Sequence, residues 1–326
     1  ATTVTATAGD AQVLADRVDF ADGSSITATG GDVRVDAVTS LSAGENFLLE
    51  GDNVSVTGGR EGFAVGSGAA FIARAGQVEV IGDADLTLGG RLSVDAQKGA
   101  SDDPTAGSIT IGAHGVLSVT DDALEIAAKH GSVTVYGGKG MSIRNNLTVV
   151  SQTDTVLLTE QGSLSIGNGA NVKAGTQSGL EAGIYGGIRL AAGDAFAIGE
   201  SATVLADQLT VEAAGDITFG DKATLTGATD GVTIASAGGS IYMGNELTVE
   251  SNAQKTLFSA QKGDIVIGSE AKLTSSNSQI EFEAGRNVVF NEDFDVHGLG
   301  FVVNAGNNVT VGDNQTVETF FSEGEY

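Results

Sequence analysis

Apolar residues recur along this chain in short alternating runs, each opened by a small polar residue and closed by glycine or alanine. GDITFG at Gly215–Gly220 returns as GDIVIG at Gly263–Gly268, and GSIYMG at Gly239–Gly244 lies midway between them. Taking the first apolar residue of each run as an anchor gives Val33, Val54, Val78, Ile109, Val133, Leu164, Phe196, Ile217, Ile241, Ile265, Val288 and Val309. Most successive anchors stand about 21–24 residues apart, within the range of stacked-repeat architectures. Three intervals are longer: Val78 to Ile109, Val133 to Leu164, and Leu164 to Phe196. Two residues after every anchor stands another large apolar residue, and the next position is glycine in seven of the twelve units. Eight residues after the anchor an apolar residue returns in eleven of twelve, Gly62 being the exception. A third alternating run follows in most units, such as LSVDA at Leu92–Ala96, LTVEA at Leu209–Ala213 and IEFEA at Ile280–Ala284.

Alternation with a period of two places one side of each run in a core and the other in solvent, which predicts strands and excludes helices. Three such strands joined by glycine-led corners make one coil. A single coil cannot enclose a core, so coils must stack, and the repeat exists because each copy is one rung. The predicted fold is all-β: a parallel β-solenoid of about 12–13 coils, each of about 21–24 residues. It is right-handed by the general rule for parallel crossovers. At about 4.8 Å per rung it forms a rod roughly 60 Å long. The array is expected to run as one domain over 1–326, and to be a segment of a longer chain, since both ends stop within repeat-like text. The three long intervals predict bulged loops near 97–107, 144–155 and 176–187. The glycines are expected to supply the positive φ of sharp corners. The small polar residues before the anchors, among them Asp32, Asn53, Ser108, Asp216 and Asp264, are expected to satisfy local backbone groups there.

Composition narrows this reading. With no tryptophan and 5% aromatic residues, the core must be built of Val, Ile, Leu and Ala. The formal charge of −26 leaves little to neutralise phosphates, so nucleic acid is not an expected partner. The same charge keeps a long body soluble and discourages lateral clumping unless divalent cations bridge it. No stretch approaches about 18 consecutive apolar residues, so no membrane-spanning helix is expected. The absence of cysteine excludes disulfides and thiolate metal sites.

Short units of the AGD-I-x-apolar-Gly type, spread over nearly all 326 residues, resemble the repeat regions of filamentous-haemagglutinin-like exoproteins. More broadly they resemble large bacterial surface β-solenoids, including autotransporter passengers. The NPNG- and NPNL-type motifs of the haemagglutinin-like secretion domain do not occur here. The resemblance therefore implies passenger or stalk, located extracellularly on a bacterial surface. Its partners would be copies of itself end to end, or further repeats of the same chain. The expected function is non-enzymatic rod, filament or sheath material. The alternatives are an adhesin whose bulged loops bind host or microbial surface glycans, and a polysaccharide-degrading β-helix enzyme.

Candidate chemistry is sparse. The residues following the anchors run Arg34, Ser55, Glu79, Thr110, Thr134, Ser165, Ala197, Thr218, Tyr242, Val266, Val289 and Thr310. This row brings no two carboxylates together for acid–base work and makes no threonine ladder. No catalytic residue and no cofactor is assigned. Calcium needs six to eight oxygens, for which the candidates are Asp102 and Asp103 beside Pro104, and Glu292, Asp293 and Asp295 in NEDFD. His114, His130 and His297 fall in different coils and are read as surface residues. The phenylalanines from Phe219 to Phe301 are read as a stacked core.

Overall fold

The computed structural model describes residues 1–97, 107–180, 183, 185–252 and 254–319. Its strands join into one sheet that winds around the molecule, pairing in parallel from coil to coil. Each coil lays down three faces. The first face carries the inward column Ala11, Val33, Val54, Val78, Ile109, Val133, Thr155, Ile188, Leu209, Val232, Thr256, Ile280 and Phe301, which counts thirteen coils. The second runs from Val18 and Leu41 through Met141 and Leu164 to Val309. The third runs from Val4 and Ile26 through Val149 and Leu225 to Val317. All three columns face one continuous apolar core. The fold is the expected parallel β-solenoid.

The register of the repeat differs from the anchor row. Val33 to Val133 lie on the first face, whereas Leu164 to Val309 lie on the second. Val133 pairs with Thr155, and Leu164 pairs with Met141. The long interval from Val133 to Leu164 is thus one ordinary coil, Val133 to Thr155, plus the step from Thr155 to Leu164 on the next face. The bulge expected near 144–155 does not exist. Thr148–Ser151 is an ordinary strand of the third face, paired with Glu125–Ala128 on one side and Asn171–Ala174 on the other. The other two long intervals are genuine insertions on the first-face count, one between Val78 and Ile109 and one between Thr155 and Ile188. The interior of the former, with Asp102, Asp103 and Pro104, lies outside the described residues.

The aromatic residues stack where they were expected to. Phe258 and Phe282 lie face to face at 4.7 Å, and Phe290 meets Phe282 edge-on at 5.0 Å and stacks on Phe294 at 4.5 Å. A second group, Phe20, Phe47 and Phe71, stacks near the other end.

The glycines that end the second-face strands serve a different purpose from the one expected. Gly220, Gly244 and Gly268 do not have positive φ; each lies directly over its counterpart in the coil before. A Cβ at Gly244 would sit 2.5 Å from the carbonyl carbon of Gly220, and one at Gly268 would sit 2.4 Å from the carbonyl oxygen of Gly244. Close approach of stacked backbones, not turn geometry, keeps side chains out at these three positions. Gly112, on the first face, instead makes room for a side chain, the Tyr136 ring lying across it. Gly268→Ala is therefore expected to lower stability by about 1–3 kcal/mol, read as a lower urea midpoint. Thr87→Ala, on the outward row, should change it by no more than about 0.5 kcal/mol.

Candidate functional site

The features that join coil to coil are the ones a stacked rod depends on, and they concentrate at the corners. Between the second and third faces every coil turns on one left-handed residue. The column reads Gly23, Asn46, Gly68, Arg91, Ala123, Asn146, Gly169, Ser201, Lys222, Glu246, Glu270, Asp293 and Asn314, with φ between 53° and 76°. Only three are glycine. For the others the conformation costs roughly 1–2 kcal/mol each, so something must hold it.

A backbone hydrogen bond does so, and in several coils a side-chain bond joins it. The N–H of the left-handed residue donates to a carbonyl in the next coil: Ala123 to Asn145 at 3.0 Å, Asn146 to Asn168 at 2.8 Å, and Gly169 to Glu200 at 2.8 Å. The side chain of the residue just before it accepts from that same next-coil residue. Asn145 N–H donates to Asp122 Oδ1 at 3.3 Å, Asn168 N–H to Asn145 Oδ1 at 2.9 Å, and Glu200 N–H to Asn168 Oδ1 at 2.9 Å. The same reciprocal pair recurs at Asp22, Asp221 and Asn245. The residue after the turn then enters the core, as Phe47, Leu92, Leu124, Leu147, Leu247 and Phe294 all do.

The other two corners use the same device. Asp10, Asp32 and Asn53 accept in turn from the N–H groups of Asp32, Asn53 and Gln77. Asp216, Ser240 and Asp264 accept from Ser240, Asp264 and Asn287 at 2.7, 3.0 and 3.0 Å. The polar corner residues therefore satisfy the backbone of the following coil, one full turn further along the chain, and not the local backbone as expected. Burial pushes the Asp264 carboxyl up, but the Asn287 side-chain and backbone donors and Arg286 outweigh it, leaving its pKa below the ordinary value.

The insertion after Asn171–Ala174 has a built neck. The Asp207 carboxylate, 1% exposed, accepts from the N–H groups of Thr176 at 3.0 Å and Gly186 at 2.9 Å, and from the Thr176 hydroxyl. Asp154 Oδ1 accepts from Gly187 N–H at 2.7 Å. One buried carboxylate thus clips both ends of the loop together. Beyond the clip, Tyr185 is 66% exposed and Leu180 38%.

The calcium candidates within the described residues do not converge. Glu292 stands at the left-handed corner, and its carbonyl accepts from Glu270 N–H at 3.0 Å. Asp293 is itself a left-handed residue and borders a shallow depression of about 480 Å³ with Glu246, Thr248, Glu270 and Lys272. Asp295 lies on the third face, its Oδ1 2.9 Å from Nε2 of His297, whose Nδ1 is 3.2 Å from Glu318. Among the described residues, no three His, Asp or Glu side chains are grouped to hold a metal ion.

Read by face, the outward rows differ from the sequence row. After Thr134 the first face continues Val156, Arg189, Thr210, Thr233, Leu257, Glu281 and Val302. The second face begins Asp19, Ser42, Ala64, Thr87, Ser118 and Ser142 before reaching Ser165. In neither row do carboxylates occupy neighbouring coils. Sequence reasoning missed a nearly buried carboxylate of the first face, Glu281, whose Oε2 is ion-paired with Lys255. It also missed a groove of about 610 Å³ with an alanine floor that includes Ala191, Ala213 and Ala235, walled by the Arg189–Glu212 ion pair at 2.9 Å. Compared with protein-family models, curated proteins and solved structures, the chain finds no match.

The Lys255 hydrogen bond, against the opposing effect of burial and with further help from Glu283 and Gln279, holds the Glu281 pKa below its ordinary 4.5. The folded state therefore binds fewer protons than the unfolded chain as pH falls below about 4.5, and stability drops with it. The contact's contribution is complete above that pH and is lost as pH falls through the folded-state value. Glu281→Gln is expected to cost about 1–3 kcal/mol at pH 7 and to flatten the loss below pH 4.5, checked by urea midpoints from pH 7 to 3.

Proposed function

We propose that this chain is non-enzymatic structural material of a bacterial surface, an extracellular β-solenoid rod of the filament or sheath type. It is similar in this to the repeat regions of filamentous-haemagglutinin-like exoproteins. The observation that carries the reading is the unbroken stacking of thirteen coils on three faces around one core. Corner bonds from Asx and Ser side chains tie coil to coil, as at Asn145 and Asp216. The polar surface fits the same role, since its acids alternate with Ser, Thr and Gly and gather at no convergent centre among the described residues.

Its partners are copies of itself end to end, or further repeats of the same chain. Among the described residues, the strands Val309–Val311 and Thr316–Thr319 each pair on one side only. They leave Val309, Val311 and Val317 48–57% exposed, the kind of edge that accepts another strand. Electron cryomicroscopy of the protein purified from its source is expected to show continuous fibres with an axial repeat of about 4.8 Å. Separate, strictly monomeric rods at high concentration would overturn the filament. Grids prepared with a chelator test calcium bridging through the acidic corners: fibres that dissolve support it, and unchanged fibres remove it.

A second reading, an adhesin that binds surface glycans through its loops, is favoured by the Asp207 clip, which presents Tyr185 and Leu180 on a fixed neck. Under this reading Asp207→Ala opens the loop to proteolysis between 175 and 187, leaves the rod's circular dichroism intact, and weakens glycan attachment at least severalfold. Attachment that survives both this change and deletion of 176–187 would end that reading.

A further inference from the structure

We propose that Asn168–Gly169 is a self-modification site that the stacked coil holds silent and that fires when the coil opens. It is the chain's one Asn-Gly pair. In an open chain this pair closes on itself readily, because glycine has no side chain to hinder the approach. The Gly169 nitrogen attacks Asn168 Cγ and gives up its proton. The bond from Cγ to the side-chain nitrogen breaks, ammonia leaves, and a succinimide ring remains. Water then opens the ring at either carbonyl, giving aspartate or isoaspartate at 168.

The fold engages both reacting groups at once. The attacking nitrogen's own hydrogen is committed to the Glu200 carbonyl at 2.8 Å, and Asn168 Oδ1 accepts from the Glu200 N–H at 2.9 Å. Asn168 N–H is in turn held by Asn145 Oδ1 at 2.9 Å, and Gly169 is fixed at φ 68°. Ring closure requires the Glu200 segment to lift away, so its rate reports the opening of this one coil interface.

The two products have different fates. Aspartate fits, because Asp22, Asp122 and Asp221 already fill the same corner place in other coils. Isoaspartate inserts an extra methylene into the backbone between the acceptor side chain and the left-handed residue. The reciprocal pair can then no longer form in register. An opening that lasts long enough for the ring to close and reopen as isoaspartate thus becomes permanent.

The test is peptide mapping of residue 168 after the full chain is incubated at pH 8, folded in buffer or unfolded in guanidinium chloride. Ammonia loss at Asn168 is expected to be more than about tenfold slower in the folded chain. Rates within about twofold of each other would overturn the proposal. The aged, unfolded chain is then refolded and the folded fraction isolated by limited proteolysis. Isoaspartate should be depleted from that fraction while aspartate is retained. Equal recovery of the two forms would show that the corner tolerates the altered backbone, and the irreversible step would be discarded.

Discussion

The fold rests on one constraint: every backbone amide that points along the rod must meet a carbonyl in the neighbouring coil, corners included. On the flat faces this is ordinary parallel pairing. At the corners a turn would normally satisfy its own groups and break the ladder. Here the N–H groups of the left-handed residues, from Gly23 onward, continue it to the next coil. Once the ladder passes through the corner, each coil must have the same outline as its neighbours, and the repetitive sequence follows from that outline.

This explains what each repeated residue type does. The inward h-x-h positions fill a core of nearly constant cross-section, and a large residue in one coil is met by a large one in the next, as with Phe258 over Phe282. The glycine column through Gly244 and Gly268 exists because backbones there pass too close for a methyl group. Asp, Asn and Ser at the corners serve because a short side chain suffices to reach the next rung. Asn is the most versatile of these: it can donate downward and accept upward, as Asn53 does between Asp32 and Gln77. The insertion at 175–187 is closed beneath by the Asp207 carboxylate, with Asp154 holding Gly187 beside it.

Much of the fold was legible in the sequence, because alternation and the regular return of an apolar residue after each anchor are direct consequences of strands on a fixed perimeter. Face identity was not legible. The first and second faces are written in the same small-polar, h-x-h, small-residue text, and Thr155 holds a core place usually given to an aliphatic residue. Its hydroxyl is satisfied by Ser151 at 2.8 Å, so the substitution is tolerated and the anchor row slides to the next face unnoticed. The left-handed column was hidden for a related reason. A backbone bond to the next coil stabilises it whatever the side chain, so Arg91, Ala123 and Lys222 serve as well as Asn146. Asp207 and Glu281 look like any other acid in the sequence. Their burial depends on partners brought close by stacking: Lys255, a full coil before Glu281, and the loop ends Thr176 and Gly186, which precede Asp207 by a coil or more.

Length and charge together have a physical consequence of their own. A net charge of −26 spread over roughly 60 Å of axis is about one elementary charge per 2–3 Å. Double-stranded DNA carries about one per 1.7 Å. The rod is therefore a stiff polyelectrolyte with a line charge close to that of a nucleic acid, and it must carry a sheath of condensed counterions wherever it stands. Two such rods side by side repel until their ion clouds separate, over a distance of about 8 Å at physiological salt. A surface dressed with them would behave as a brush of upright, mutually spaced bristles, whose gaps open and close with the salt of the surrounding fluid.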